Sequence, residues 1–435
     1  MAKTIDALIV FEHSVRELES VLWLKIELER RGLTSEVVQY AWNEGPSRLR
    51  YRPKVLIVPW CYDDVDYDYF STYKGGFNDE SFVLINLHSE QLTNENGIKF
   101  MTSSGKSKDV YHFVWGEYYK EILERNKVDP KLIYKTGSCR LDLFKKEYSS
   151  LSKSKKELAD LFKLDYEKRW IILVGNFGIN PLEQINNSLE DRGVEIDNEC
   201  KSIVKNSYLK IIDWYKKACE NDSVERECEL IYRPHPSESL TSNIRELSDE
   251  YSCFHIIPDY SIRDWFVNAD VVYSWTSTSS VEAAVAGVPV YSLRPYEMPD
   301  RMKVTLLESV KAIKNEQDFV DSIVRKEYSD VNTSLLKEIP YYYYNNNKPV
   351  VETICDLIET ELRSETGIVK SRWSMWFGLH KGIKYCIKKV MLFFHISPRN
   401  PKRKVYFRDY IPKKRMLEDL RIIERVVCRG NGKVY

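Results

Sequence analysis

Two prolines flank a histidine in the run Arg233-Pro234-His235-Pro236, and this run constrains the fold more than any other feature. Proline fixes its own backbone angle and disfavours helix at the residue before it, so the run is an extended turn. The mostly apolar residues 229–232 predict a buried strand that ends there. We therefore expect Arg233 and His235 at the carboxyl end of a strand, where open α/β sheets bind their ligands.

A hydroxyl-rich turn follows in the same half of the chain. Residues 269–274 predict another buried strand, and residues 281–286 predict a short helix that Gly287 ends. Between them lies a hydroxyl-rich turn, Thr276 to Ser280, of which Ser277, Thr278, Ser279 and Ser280 are the candidate phosphate ligands. Hydroxyls and unpaired backbone amides at the start of a helix attract an anion, so the turn predicts a phosphate site. Capping of the helix alone is the alternative for the same residues.

Composition places the chain among ordinary globular proteins. Its 435 residues are 43% hydrophobic and 30% charged, which suffices for two or three domains with buried cores. The formal net charge is zero, so we expect no nucleic-acid partner. The nine cysteines form no CxxC pair, which disfavours a disulfide framework and a zinc site. The sequence shows no signal peptide and no membrane-spanning run, so the cytoplasm is the expected compartment.

Predicted strands and helices alternate along most of the sequence. Apolar runs predict strands at 5–11, 36–40, 55–60, 82–87, 112–116, 133–137 and 170–174, and helical periodicity is clearest at 16–31, 117–126, 201–218, 316–325 and 350–362. Such alternation is typical of parallel sheets covered by helices on both faces. We expect two Rossmann-like domains, at 1–150 and 151–340, with a polar linker starting at 149–155. Residues 341–365 predict a helix that returns to the first domain, and residues 366–435 predict a basic tail.

Seven short motifs occur in a characteristic order between residues 5 and 295. They are SVREL at 14–18, INLHSE at 85–90, FVWG at 113–116, TGSCRLD at 136–142, GNF at 175–177, RPHP at 233–236 and STSSVE at 277–282. This order resembles bacterial surface-carbohydrate biosynthesis proteins, those of capsule and O-antigen, with the GT-B fold. The His-Pro pair and the serine turn are also similar to those of bacterial sialyltransferases, polysialyltransferases and Kdo transferases. The resemblance implies an α/β glycosyltransferase of GT-B class, with two Rossmann-like domains facing across a cleft.

The resemblance also implies a nucleotide-sugar donor, CMP-linked and carrying Kdo or a related acid, with no further cofactor and no metal. His235 is the candidate that neutralises or protonates the departing phosphate, because an imidazole titrates near neutral pH. Arg233 is a candidate ligand of the same phosphate, and a structural ion pair is its alternative. Glu282 is assigned to the donor ribose, with favourable charge at a helix start as its alternative. Asn176 is assigned to the donor nucleotide.

The first domain is expected to supply the base that deprotonates the acceptor. Glu90 is the first candidate, because it follows the predicted strand 82–87 directly. If the reaction retains configuration, Glu90 is instead a candidate nucleophile. Further acceptor-side candidates are His13, Glu17 and His88.

Four aspartates interleaved with tyrosines raise the question of a metal site. They are Asp63, Asp64, Asp66 and Asp68. We interpret the segment as a solvated loop or an acceptor-contacting surface, because the resembling class of enzyme needs no metal.

Three functions are compatible with these observations. The first is transfer of a sugar to a growing, lipid-linked bacterial surface polysaccharide. The second is transfer of an alditol phosphate from a CDP-activated donor, as in teichoic-acid synthesis. The third is a non-catalytic role in polysaccharide assembly, which the presence of both Glu90 and His235 disfavours.

Basic and aromatic residues interleave in the C-terminal tail. Between Lys370 and Arg415 the single acidic residue is Asp409. The pattern predicts an amphipathic helix that lies in the headgroup plane of an anionic membrane. Packing of this helix on the catalytic domains is the alternative. We expect peripheral binding to the inner face of the cytoplasmic membrane, through this tail.

Overall fold

The computed structural model describes residues 2–77, 80–177, 198–235, 238, 240–326, 328, 330–345, 347–360, 368–396, 398, 407 and 409–430. The chain divides into two compact units. Unit 1 comprises Met1–Gln91, Met101–Leu143 and Pro340–Tyr435, and unit 2 comprises Leu92–Phe100 and Phe144–Ile339. The division after Leu143 lies close to the boundary predicted at 150/151. The last part of the chain, predicted as a separate tail, belongs to unit 1.

A sheet of seven strands forms the centre of unit 1. Its strands are β1 (Lys3–Phe11), β2 (Ser35–Gln39), β3 (Tyr51–Val58), β4 (Ser81–Asn86), β5 (Tyr111–Val114), β6 (Ile133–Lys135) and β13 (Val369–Lys370). The first six are parallel in the order β2-β1-β3-β4-β5-β6, and β13 pairs antiparallel with the start of β4. Leu8, Ile9 and Leu56 are fully buried, because helices cover both faces of a parallel sheet.

A second sheet, of six strands, forms the centre of unit 2. Its strands are β7 (Arg169–Val174), β8 (Cys228–Arg233), β9 (Phe254–Ile256), β10 (Val271–Ser274), β11 (Val290–Leu293) and β12 (Ala312–Ile313). All six are parallel, in the order β12-β11-β10-β7-β8-β9. One buried cluster contains Ile171 and Leu173 of β7 together with Trp214 and Phe319 from flanking helices.

The α-helices cover these sheets and connect their strands. They are α1 (Ser14–Arg30), α2 (Glu44–Arg50), α3 (Asp64–Phe70), α4 (Glu95–Met101), α5 (Glu117–Arg125), α6 (Cys139–Asp142), α7 (Lys155–Phe162), α8 (Asn198–Cys219), α9 (Asp222–Glu227), α10 (Ser242–Glu250), α11 (Ile262–Phe266), α12 (Ser279–Val285), α13 (Glu316–Arg325), α14 (Thr333–Tyr342), α15 (Val350–Thr360), α16 (Met375–Phe393) and α17 (Lys413–Gly430). The predicted helix at 316–325 is confirmed at both ends.

The helices of the predicted tail pack on unit 1. Such packing was the alternative to a helix that lies in the plane of the membrane headgroups. Helix α16 lies on α2, and a Cβ at Gly378 would overlap the Leu49 side chain there. The Trp373 indole donates a hydrogen bond to the Arg48 carbonyl at 3.2 Å. Helix α17 packs against α1. Several basic residues of the predicted tail lie outside the described residues: Arg399, Lys402, Arg403, Lys404 and Arg408.

The prediction of a loop around the four aspartates was wrong, because this segment forms helix α3. Asp63 caps the helix by accepting the Asp66 N–H at 2.9 Å, and Asp64 and Asp66 lie in its first turn. Carboxylates are favourable at that position because the helix dipole is positive there. The other aspartates also have protein partners: Asp64 accepts the Lys106 N–H, Asp66 accepts the Tyr62 N–H, and Asp68 pairs with Lys106 and Arg372.

Candidate active site

Three neighbouring strands of unit 2 end at the same level of the sheet. Val174, the last residue of β7, pairs with Ser274 of β10 on one side and with Arg233 of β8 on the other. The loops that follow therefore leave the sheet side by side, and they carry Asn176, His235 and residues 277–280. We call this region the unit 2 edge. It is the carboxyl edge, where open α/β sheets bind ligands.

The serine turn, residues 277–280, contains two kinds of hydroxyl. Ser277 and Ser280 are buried. The Ser280 hydroxyl lies 2.9 Å from the Ser274 hydroxyl, and Ser277 Oγ accepts the Ser279 N–H at 3.2 Å. Thr278 and Ser279 are only half-buried. Two hydroxyls therefore hold the shape of the turn, and the other two are accessible to a ligand.

Asn176 connects the loop after β7 with the loop after β10. Its side-chain amide donates a hydrogen bond to the Thr276 carbonyl. The next residue, Phe177, stacks on Trp275 with ring centroids 5.1 Å apart. Glu282, in the first turn of α12, is only 4% exposed, so its contact with a donor ribose stays a prediction.

His235 is exposed, and a buried glutamate holds its loop. The His235 N–H donates to Glu238 Oε2 at 3.1 Å, and Glu238 Oε1 accepts the Tyr232 hydroxyl at 2.5 Å. Burial raises the pKa of Glu238 to about 7, although these two hydrogen bonds oppose the shift. The carboxyl group fits because position 175 is glycine, since a Cβ there would overlap it. Glu238 and Gly175 therefore determine the position of the His235 backbone.

The Arg233 side chain is buried, and its guanidinium binds backbone carbonyls of unit 2. Nη1 donates to the carbonyls of Ile257 and Asp259, the latter at 2.6 Å. Nη2 donates to the Tyr260 carbonyl at 2.8 Å, and the group lies 5.2 Å from the Trp265 ring centroid. These contacts favour a structural role for Arg233 over phosphate binding. The sequence suggested a loop carboxylate as its structural partner, whereas the structure has backbone carbonyl oxygens there.

Charged side chains gather at the carboxyl ends of β1 and β4 in unit 1, which we call the unit 1 edge. Arg16 forms an ion pair with Glu90 and another with Glu17 Oε1 at 2.7 Å. Glu17 Oε2 accepts the Glu12 N–H at 2.7 Å. Burial lowers the pKa of Arg16, but Glu90 and Glu17 outweigh it and raise the pKa above its usual value. The predicted base Glu90 is thus held by a permanent cation.

His13 lies at the same edge, between β1 and α1. Its Nδ1 is 3.6 Å from an Asp409 carboxylate oxygen, and its Nε2 is 4.0 Å from Glu12 Oε1. Burial lowers the pKa of His13, but the interaction with Asp409 and the charges of Glu12 and Glu17 raise it above its usual value. His13 is therefore a more basic group than an isolated histidine.

His88 is completely buried rather than exposed at the edge. Its Nε2 lies 2.8 Å from His112 Nδ1, and its Nδ1 lies 3.3 Å from the Tyr119 hydroxyl. Burial lowers the pKa of His88 well below its usual value and that of His112 to about 4, so both are neutral at pH 7. The backbone of His88 has a φ of 45°, and its N–H donates to Asn86 Oδ1 at 3.0 Å. His88 therefore supports the loop that carries Glu90, and this position does not favour direct contact with an acceptor.

Sequence reasoning missed two residues, Glu238 and Asp409. Glu238 stands three residues after His235, the spacing at which a carboxylate reaches back to a backbone N–H, so a local signal existed. Asp409 was noted only as the single acid of a basic tail. Its partners His13 and Ser14 are almost the full chain length away, and no local pattern indicates such a contact.

Two Rossmann-like units, each built on a largely parallel sheet, match the GT-B type of fold, so the prediction of an α/β chain with two such units is confirmed. Solved structures of similar fold cover most of the chain. The wall teichoic acid polymerase TagF aligns with a TM-score of 0.54 and 12% identity, over 82% of this chain and 89% of that chain. The UDP-GlcNAc 2-epimerase from Neisseria meningitidis, bound to UDP-GlcNAc, aligns with a TM-score of 0.50 and 15% identity, over 82% and 100%.

A third similar structure is the UDP-GlcNAc 2-epimerase from Methanocaldococcus jannaschii in complex with UDP-GlcNAc and UDP. Its TM-score is 0.50 at 11% identity, over 82% of this chain and 99% of that chain. Identities this low establish the fold alone. The sequence matches no protein-family model and no curated protein.

Proposed function

We propose that this chain is a glycosyltransferase that builds a bacterial surface polysaccharide from a nucleotide-activated sugar. The observation that carries the proposal is the unit 2 edge, where three adjacent strands end at one level. It presents an exposed imidazole after β8 and two accessible hydroxyls after β10, on either side of the loop that follows β7. The similar epimerases, whose structures contain UDP-GlcNAc, support a nucleotide sugar as the ligand of such a fold.

The donor phosphates are proposed to lie at the unit 2 edge. Thr278 and Ser279 donate hydrogen bonds to a phosphate, while Ser277 and Ser280 shape the turn. His235 neutralises or protonates the leaving phosphate. Asn176 and Glu282 contact the nucleoside.

The acceptor is proposed to bind at the unit 1 edge, where a base must take the proton of its hydroxyl. Glu90, Glu17 and His13 lie there together. Of these, Glu90 and Glu17 share Arg16, which also serves to position them. If the reaction retains configuration, Glu90 is the candidate nucleophile.

The finer identity of the substrates follows from the sequence resemblance. It favours a CMP-activated acid such as Kdo as donor, and a lipid-linked glycan as acceptor. A second candidate is transfer of an alditol phosphate from a CDP-linked donor, because TagF is a teichoic acid polymerase and one of its structures is a soak with CDPG. In that reaction phosphate is incorporated into the acceptor, and CMP is released.

Nucleotide-dependent stabilisation tests the proposal. The full chain is heated with CMP, CDP, UDP or GDP at about 100 times the dissociation constant. The nucleotide that matches the donor is expected to raise Tm by about 5 °C. The corresponding donors, CMP-Kdo, CDP-glycerol and UDP-GlcNAc, are then assayed for transfer. Incorporation of sugar without phosphate supports the first candidate, incorporation of phosphate supports the second, and no stabilisation by any nucleotide contradicts both.

Membrane association through the last helices is a further part of this proposal. Within the described residues, no helix is long and apolar enough to cross a bilayer. Helix α16 presents Gly378 to α2, and its outward side carries an apolar stripe. The stripe consists of Trp376, Leu379, Ile383, Ile387 and Val390, and Phe394 directly after the helix continues it; these residues are between 42% and 80% exposed. Exposed Lys384 lies beside it, which suits an anionic lipid surface.

Charging the stripe is expected to weaken binding to anionic vesicles. The double variant Ile383→Glu, Ile387→Glu removes two apolar anchors, so partition should fall roughly 100-fold. The measurement is co-sedimentation with phosphatidylglycerol-containing vesicles at low salt. Leu161→Glu is the matched control, because Leu161 is 53% exposed on α7 of unit 2. Equal sedimentation of the double variant and the wild type would contradict a membrane role for the stripe.

A further inference from the structure

The segment around Asp409 returns from the end of the chain to the unit 1 edge. Both polar atoms of the Gln39 side-chain amide bind this segment. Nε2 donates to the Asp409 carbonyl at 2.8 Å, and Oε1 accepts the Ile411 N–H at 3.2 Å. The Trp42 ring packs on Phe407 and Tyr410, with centroids 5.1 Å and 4.5 Å away. These contacts fix the position of the segment on β2 and on the turn that follows it.

The Asp409 carboxylate meets the junction of β1 and α1. It accepts the Ser14 N–H at 3.0 Å and also the Ser14 hydroxyl. A second contact places its Oδ2 at 3.6 Å from His13 Nδ1. The carboxylate is 8% exposed, so solvent screens this contact little.

We propose that Asp409 is a positioning residue that orients His13 and supports it as the base for the acceptor hydroxyl. This rests on the proposed transferase function. Asp409 faces Nδ1, and Nε2, on the opposite side of the ring and 4.0 Å from Glu12 Oε1, is the atom proposed to take the acceptor proton. The distance of 3.6 Å is long for a hydrogen bond, but such contacts shorten when substrate is bound.

The acceptor O–H proton passes to His13 Nε2. With an alditol-phosphate donor the acceptor oxygen bonds to the transferred phosphorus, the bond from that phosphorus to the CMP oxygen breaks, and CMP leaves with the electron pair. With a sugar donor the acceptor oxygen forms a bond to the anomeric carbon. The bond from that carbon to the donor phosphate oxygen breaks, and its electron pair leaves with the nucleotide. The imidazolium that forms carries a positive charge, which the carboxylate of Asp409 stabilises without being protonated.

The neighbours of His13 decide between it and Glu90 as the base. Arg16 binds Glu90 Oε1, so a permanent cation occupies one of the two oxygens with which Glu90 would accept a proton. The groups that face His13 are Asp409, Glu12, Glu17 and Arg16, three of them acidic. The net field therefore favours an imidazole that takes up a proton.

The first test needs no substrate. His13 is titrated by the NMR signals of its ring in the full chain, and His13→Gln identifies the signal. Asp409→Asn keeps an oxygen that accepts the Ser14 N–H but removes the charge, so we expect the pKa of His13 to fall by about one unit or more. Ser14→Ala is the control, because it removes a hydroxyl partner of Asp409 and keeps the carboxylate. An unchanged titration of His13 in Asp409→Asn overturns the pairing.

The second test is the pH dependence of transfer with whichever of CMP-Kdo, CDP-glycerol and UDP-GlcNAc the wild type uses. His13→Gln should lower kcat by about 10²–10⁴-fold, and Asp409→Asn should lower it on the order of 10-fold. The base must be deprotonated, so a lower pKa in Asp409→Asn moves the acid limb of the kcat profile to lower pH. An unmoved limb, or full activity in His13→Gln with none in Glu90→Gln, overturns the assignment. If the wild type transfers nothing, the proposed function is wrong. The NMR titration of His13 still tests its pairing with Asp409.

Discussion

His235→Ala is expected to lower the rate of transfer by about 10²–10⁴-fold, the contribution of a positioned acid or base. The side chain is exposed after β8, and Glu238 holds its loop through the backbone N–H of residue 235, which alanine retains. The fold should therefore persist, with Tm close to that of the wild type. The measurement is steady-state transfer alongside thermal unfolding.

His255→Ala is the matched control for this prediction. His255 lies on β9 of the same sheet and pairs with Glu229 at 2.6 Å, away from the loops of the unit 2 edge. Its removal should leave transfer near the wild-type rate. Wild-type turnover in His235→Ala, or an equal loss in both variants, would remove His235 from the proposed chemistry.

Arg233→Ala is expected to destabilise unit 2 by about 3–5 kcal/mol. The guanidinium satisfies the carbonyls of Ile257, Asp259 and Tyr260, and its removal leaves buried acceptors unpaired. For a unit of this size the change lowers Tm by about 10 °C. Thermal and urea unfolding measure it.

Arg233→Lys separates structure from ligand binding. A lysine keeps the charge but cannot present the same fork of donors, so it should recover only part of the stability. If Arg233→Ala unfolds like the wild type while nucleotide affinity falls, the arginine is a phosphate ligand after all. Loss of stability together with loss of nucleotide binding fits the structural role, because the loop that follows β8 depends on it.

Much of the fold was predictable because its signals are local. Strand β7 is buried on both faces, so it appears in the sequence as a continuous apolar run, Trp170 to Val174. Strand β8 shows a shorter apolar run, Leu230 to Tyr232, before the polar turn. Helix α13 was predicted at both ends because its amphipathic period is clear. Helix α3 was not, because alternating aspartates and tyrosines hide the helical period, and its cap became visible only in the structure.

The candidate site was predictable where residues follow strands, and not where contacts span the chain. The loops bearing His235 and the serine turn were expected at neighbouring strand ends. In the structure β7 lies between β10 and β8, and its register with both brings the two loops to one level. The engagement of Arg233 with three carbonyls depends on how the loop after β9 folds back. The contact of Asp409 with Ser14 joins residues 395 positions apart, and nothing local encodes it.

The discontinuity of unit 1 has a consequence for how the protein is made. Unit 2 lies within residues 92–339, whereas unit 1 also needs residues 340–435. Synthesis runs from the N-terminus, and domains fold as they emerge, so every residue of unit 2 leaves the ribosome before unit 1 is complete. Until then β4 lacks its antiparallel neighbour, α1 lacks helices α15 and α17, and His13 lacks its carboxylate. The nascent chain therefore presents all of unit 2 before the segment that brings Asp409 to His13.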